Sequence, residues 1–399
     1  MRNLLLILIV LLPFCSKAQW QQTTYTQSYR IEKIVCSGSE IYAGRERGVV
    51  YSSDNGASWV LASGGLPGDT DDVITALCIK DSFVFAGVGG QDGLHDIFRT
   101  SDKGQNWVRI NNGIPANPYR TVCCFLSIGN TLYTGAYKGI YVSTDNGNNW
   151  TLKGDSLNNI TVMKIVKKDN LLFAATNGIG VYKSTNMGET WEAKNNGLNA
   201  LQILSLEVCG NNLLAGTYGG IYLSTNNGDS WISSNTGLPD FLNIKSLATY
   251  NNYAFVGSQY EGVYLSNDGG FTWYDWSDGL SQYVEIISFG VNETDIFAGS
   301  YGGPLPSNCG IWKRSLGDLV SIENRFNNNS ATNIYPNPAK DELKIKGNLT
   351  LFSLYNNMGV LVLETKQNEL DVSALPSGIY FAKVISNGKM FTEKIEIEH

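Results

Sequence analysis

One short pattern, Ser/Thr-x-Asp-x-Gly-x-x-Trp, recurs six times along this chain. It reads Ser52, Asp54, Gly56, Trp59; Thr100, Asp102, Gly104, Trp107; Ser143, Asp145, Gly147, Trp150; and Ser266, Asp268, Gly270, Trp273. Two copies carry Asn for Asp: Ser184, Asn186, Gly188, Trp191, and Ser224, Asn226, Gly228, Trp231. Successive Trp residues lie 48, 43, 41, 40 and 42 positions apart. A fixed period of this length calls for one supersecondary unit repeated along the chain, each copy burying its neighbour's open face.

Most copies follow a Gly-apolar-aromatic strand start, as in Gly139-Ile140-Tyr141 and Gly220-Ile221-Tyr222. A seventh start, Gly310-Ile311-Trp312, lacks the acidic box. Upstream of each lies a strand ending in a small pair, such as Tyr42-Ala43-Gly44 or Leu214-Ala215-Gly216, and before that another apolar strand, such as Ile203 to Val208. The unit is four short strands in roughly 42 residues, the dimensions of a propeller blade. An open stack would expose its end sheets, whereas a ring protects them. The seventh blade lacks its last strand. Trp20-Gln21-Gln22 resembles the strand after each box, such as Trp150-Thr151-Leu152, and is expected to fill the gap and lock the ring. The predicted fold is all-β: a seven-bladed β-propeller over residues 19–316, a linker over 317–332, and a small Ig-like β-sandwich over 333–399. The linker carries Asn327-Asn328-Asn329-Ser330, and the tail reads as five or more short strands separated by turn residues.

Composition narrows function by exclusion. Of 399 residues 43 are Gly, and charged residues make up 16%, against about 25% in an ordinary soluble domain. Disordered chains need high charge and few aromatics, and coiled coils need Ala, Glu, Lys and Leu in excess; neither fits. Net charge is −7 without a basic run, so a nucleic-acid-binding face is not expected. With only His95 and His399, a His-rich metal site or a His-dependent triad is not expected either. Met1-Arg2-Asn3, the apolar run Leu4 to Phe14, and Ser16-Lys17-Ala18 form a secretory signal over residues 1–18, with cleavage expected before Gln19. A lipid anchor at Cys15 is disfavoured by the bulky Phe14 before it. No other apolar run approaches about 18 residues, so no membrane span is expected. Six cysteines follow the signal, without a CxxC pair, mostly inside apolar strands; buried free thiols are the expectation.

The repeated box resembles the Asp-box, or BNR, repeat of sialidases, xyloglucan hydrolases, sortilin-type receptors and photosystem II assembly-factor propellers. That resemblance implies the propeller fold and says little about function, because the box is a hairpin device. Its Asp accepts backbone N–H bonds in the turn, its Gly permits a positive φ, and its Trp packs between blades. The tail resembles the type A C-terminal sorting domain of the type IX secretion system. The matching pieces are Tyr335-Pro336-Asn337-Pro338, Tyr355 to Gly359, Leu375-Pro376-Ser377-Gly378-Ile379-Tyr380, and Lys394-Ile395-Glu396-Ile397. The resemblance implies a bacterium of the Bacteroidota type, the type IX machinery as partner, passage across the outer membrane, removal of the tail, and a product released or attached to the cell surface.

In propellers, ligands usually sit on the face opposite the boxes, on the loops between second and third strands and between blades. There Tyr137, Tyr218 and Tyr301 fall two residues after the strand-ending small residue, and Tyr260 one later. Such tyrosines suit stacking on sugars or anchoring a peptide. Arg45 and Arg47 lie on the corresponding loop of blade one. Sialidase chemistry needs three converging arginines and a Tyr–Glu pair; the family's Arg-Ile-Pro signature is missing. Xyloglucan hydrolases use two propellers, and here there is one. Asp71, Asp72, Asp92, Asp240 and Glu261 read as scattered loop acids, and Asp69, Asp71 and Asp72 as a plain acidic loop rather than a calcium site. The expectation is a secreted or surface-displayed binding propeller for a glycan, peptide or protein, with no catalytic residue, cofactor or metal. The alternative is a glycoside hydrolase, which would require two carboxylates about 5–10 Å apart on that face.

Overall fold

A computed structural model describes residues 19–25, 27–68, 72–90, 96–115, 122–302, 309–319, 333–346, 349–356, 360–386 and 389–399. The signal segment, most of the linker, His95, Asp69, Asp71, Asp92 and Gly359 lie outside them.

Seven four-stranded antiparallel sheets form the propeller. Blade one comprises Ile31–Ser37, Glu40–Arg45, Gly48–Ser52 and Val60–Leu61; blade five comprises Ser205–Cys209, Asn212–Thr217, Gly220–Ser224 and Ile232–Ser233. The second strand of each blade is buried on both faces, because it is clamped between neighbouring sheets. That is why its sequence, as in Leu213-Leu214-Ala215-Gly216, shows no apolar–polar alternation. Blade seven joins Glu285–Val291, Asp295–Tyr301 and Gly310–Ser315 to the N-terminal strand Gln21–Gln22. Gln21 pairs with Lys313 and Gln22 with Trp312. The ring thus closes through its first and last strands, as the sequence predicts.

The box is a closed hydrogen-bond circuit. In blade one the Ser52 hydroxyl donates to Asp54 Oδ1 (2.7 Å) and accepts from Gly56 N (2.9 Å), while Asp54 Oδ1 also accepts from Ser58 N (2.8 Å). These bonds hold the Asp54 and Asp102 carboxyls down at about 2, chiefly through Ser58 and Asn106 respectively. Asn serves equally in blade four: Asn186 Oδ1 accepts from Thr190 N and its amide donates to Thr190 Oγ1, both at 3.0 Å.

Each box Trp then fastens its blade to the one before. Trp107 donates its backbone N–H to Gly64 O (2.7 Å) and its indole N–H to Ala62 O (2.8 Å). Trp150, Trp231 and Trp273 repeat both bonds, to Asn112 and Ile110, Asn196 and Lys194, and Thr236 and Ser234. Trp20 does the same for blade seven, to Asp278 and Trp276. Two boxes depart. The Trp191 indole turns to Gly188 O of its own box, beside the 3₁₀ turn Asp155–Leu157. The Trp59 indole, at the seam between blades seven and one, is buried without an acceptor.

The receiving turn is a second repeat, Ser/Asn-x-Gly-Leu/Ile, that the sequence reading missed. Its Gly falls six residues after the box Trp at Gly65, Gly113, Gly197, Gly237 and Gly279. Its first side chain accepts from the third strand of its own blade, as when Ile221 N donates to Asn235 Oδ1 (2.8 Å). At Gly237 φ is +91°, and a Cβ would stand 2.0 Å from Trp273 O.

The tail packs two sheets. Asn333–Tyr335, Glu342–Lys346 and Glu369–Asp371 make one; Leu361–Thr365, Leu349–Asn356, Gly378–Ser386 and Lys389–Ile397 make the other. Their shared core includes Leu343, Ile345, Phe352, Leu354, Val384 and Ile395.

Candidate functional site

The fold places the boxes on one face of the ring, and the second-to-third-strand turns and blade-to-blade crossings on the other. On that second face Tyr137, Tyr218 and Tyr260 stand exposed on the turns of blades three, five and six. The Tyr218 ring has the Lys245 ammonium 5.9 Å from its centroid. Sequence reasoning missed two further aromatics on the crossings. Phe241, between blades five and six, is 91% exposed, and Tyr283, between blades six and seven, is 61% exposed. Phe241, Tyr260 and Tyr283 all hold left-handed backbone, with φ of 58°, 71° and 59°. Exposed aromatics gain nothing from burial there, and a bulky residue at positive φ is strained. The only signal in the sequence was the lone aromatics in Pro239-Asp240-Phe241 and Ser281-Gln282-Tyr283, in segments that otherwise read as polar turns.

Tyr301, Arg45 and Arg47 meet at the seam between blades seven and one. The Arg45 guanidinium lies 4.3 Å over the Tyr29 ring, Arg47 lies 5.9 Å from it, and Arg30 lies 5.2 Å over Tyr301. Arg47 is exposed, but Arg45 is only 7% exposed. Arg45 Nη1 donates to Glu46 O (3.1 Å), and its Nε has no partner. Arg45 therefore braces the seam, and Arg47 is the arginine open to a ligand. Burial pushes the neighbouring Tyr25 hydroxyl up to about 12.

Acids also gather at the mouth of the central channel. Burial raises the Glu32 carboxyl, opposed by Arg30 and Lys33 and aided by Glu46 and Glu285. Both principal acids are engaged: Glu32 Oε1 lies 2.5 Å from Arg30 Nε, and Glu285 Oε1 lies 3.3 Å from Lys245 Nζ.

In the tail, the motif residues hold the sandwich together. Asn337 Oδ1 accepts from Glu396 N (2.9 Å), and Tyr380 donates its hydroxyl to Pro376 O (2.7 Å). Tyr335-Pro336 and Asn337-Pro338 are cis, and Gly378 opens the strand that carries Tyr380. Lys394 lies in the last strand, Lys389–Ile397. Residues 333–398 match the family described as "Secretion system C-terminal sorting domain". The tail is a sorting domain. It marks the chain for type IX export across the outer membrane, to the surface or beyond. Residues 120–254 match the "DUF6242 beta propeller domain". No curated protein matches the chain in sequence.

Solved structures share the fold at low identity. YCF48 bound to D1 peptide is 16% identical, with a TM-score of 0.57, over 74% of this chain and 96% of that one. PorZ, described as an essential bacterial surface component of the type-IX secretion system of Porphyromonas gingivalis, is 15% identical with a TM-score of 0.52. That match takes in 93% of this chain but 59% of PorZ. The GH74 xyloglucanase of Xanthomonas campestris is 13% identical with a TM-score of 0.53, over 75% of this chain and 54% of that one. Among the described residues, no helix is long and apolar enough to cross a membrane. All six cysteines among them are unbridged.

Proposed function

We propose that the exported propeller is a binding module, not an enzyme, and that it engages an extracellular glycan, peptide or protein on the face opposite its boxes. The observation that carries this reading is the row of exposed aromatics over blades five to seven: Tyr218, Phe241, Tyr260 and Tyr283. Rigid aromatic side chains on short turns lose little entropy on contact and offer stacking surface to a sugar ring or an extended peptide. A peptide ligand on a propeller of this shape has a precedent in the YCF48 complex. Glycoside hydrolysis is the weaker reading, since Glu32 and Glu285 are each committed to a basic partner.

The test is a screen of the chain from Gln19 against arrayed glycans and peptides, reading capture and cleavage together. Capture without cleavage is expected. Phe241→Ala and Tyr218→Ala should each weaken it about 30-fold, the scale of a 2 kcal/mol anchor, with an unchanged melting temperature. Cleavage of any arrayed sugar, or capture indifferent to both substitutions, would sink the proposal.

A further inference from the structure

The innermost strands of all seven blades line a central cavity of ≈ 160 Å³, far above the roughly 10–15 Å³ that admits one water. Its charged lining is Lys33, Lys164, Lys245 and Glu207. Two of the lysines are matched: Lys164 Nζ lies 2.7 Å from Glu207 Oε1, and Lys245 pairs with Glu285. Lys33 has neither an ion pair nor a hydrogen bond to any described residue. Its neighbour Glu32 is taken by Arg30. One ammonium is thus left over in a confined space. Burial disfavours its charge; Glu32 opposes that and Lys164 adds to it.

Strand register shows what stands at the same level. Lys33 pairs with Gly44, Lys164 with Ala175 and Ser205 with Gly216, in each case the next-to-last residue of the second strand. Ser246 and Ser288 occupy this level in blades six and seven and donate to Ile286 O (3.0 Å) and Ile31 O (2.9 Å). The Ser205 hydroxyl, buried and without a partner, packs instead against Gly216 of its own blade. An unmatched ammonium and a second ammonium therefore share one level of a water-accessible channel. Confined cations are strongly unfavourable unless compensated.

We propose that this level of the channel binds a small tetrahedral oxyanion, phosphate or sulfate in kind, between Lys33 and Lys164. The site lies inside the ring and does not depend on the aromatic face. The experiment uses the chain from Gln19, melted in chloride and in inorganic phosphate at matched ionic strength, with calorimetric titration of phosphate. A melting temperature that climbs with phosphate and a saturable 1:1 isotherm are expected. Lys33→Gln should melt at or above the parent in chloride, since the uncompensated charge is gone, and should lose the phosphate response. Lys103→Gln, on an exposed box hairpin, should keep it. No phosphate-specific rise in the parent, or a response that survives Lys33→Gln, overturns the proposal. Should Lys33→Gln fold poorly, parent crystals soaked in selenate decide by anomalous scattering. A peak within hydrogen-bond reach of Lys33 Nζ supports the site, and selenate confined to the outer surface overturns it.

Discussion

Six Trp residues in equivalent boxes do unequal work, because only some of their indoles find an acceptor in the neighbouring blade. Trp107→Phe strands the Ala62 carbonyl, whereas Trp59→Phe removes an N–H that has no partner. An unsatisfied buried polar group costs about 1–3 kcal/mol. Trp107→Phe is therefore expected to destabilise by about that much more than Trp59→Phe in urea unfolding; equal losses would mean the indole bond is immaterial. The box carboxylates make a second residue-scale prediction. Asp102 titrates near 2 in the fold, below the ordinary Asp value of about 3.9. A depressed carboxyl stabilises above the unfolded value, and that contribution fades as pH falls from about 4 towards 2. Melting temperatures across that window should fall less steeply for Asp102→Asn than for the parent, since Asn186 and Asn226 fill the same role without titrating.

At the scale of the element, the blade is a hairpin device joined to a receiving turn. Gly237→Ala meets both positive φ and the Trp273 carbonyl, whereas Gly178, at φ +102°, has nothing within 4 Å. Calorimetry should show Gly237→Ala losing several kcal/mol and Gly178→Ala only about 1. Box, strand starts and closing strand were all legible, because each is a local pattern repeated at fixed spacing. The receiving turn was equally periodic but is made of common turn residues, so without the Trp it touches it reads as ordinary loop. The exposed aromatics on the crossings were harder still. Nothing in Pro239-Asp240-Phe241 announces a side chain held out in solvent, since exposure is a property of the ring rather than of the segment. Arg45 was placed on the open loop for the converse reason: it is in fact the last residue of its strand, and only the fold brings Tyr29 beneath it.

For the whole molecule, stability hinges on a join between segments far apart in sequence: Gln22 reaches Cys309 across 287 positions. Trp20 is 1% exposed and holds blade six through two hydrogen bonds. Trp20→Ala should cost about 3–5 kcal/mol, read as a lower urea midpoint. A loss near that of an exposed substitution would mean that the last blade stands without its borrowed strand. Removing residues 333–399 should leave the propeller's circular dichroism intact while abolishing surface delivery, a separation checked by cell fractionation.

The borrowed strand also bears on how copies of the protein meet. Until Gln21–Gln22 docks, Gly310–Ser315 has an unpaired edge, and such an edge takes any extended segment offered to it. Where its own strand is missing, the segment that fits belongs to another molecule. A chain trimmed at its N-terminus would present a permanently open edge, and its untrimmed neighbour carries the strand that fits it. Loss of a few leading residues would then turn a self-contained ring into an acceptor for exchanged strands.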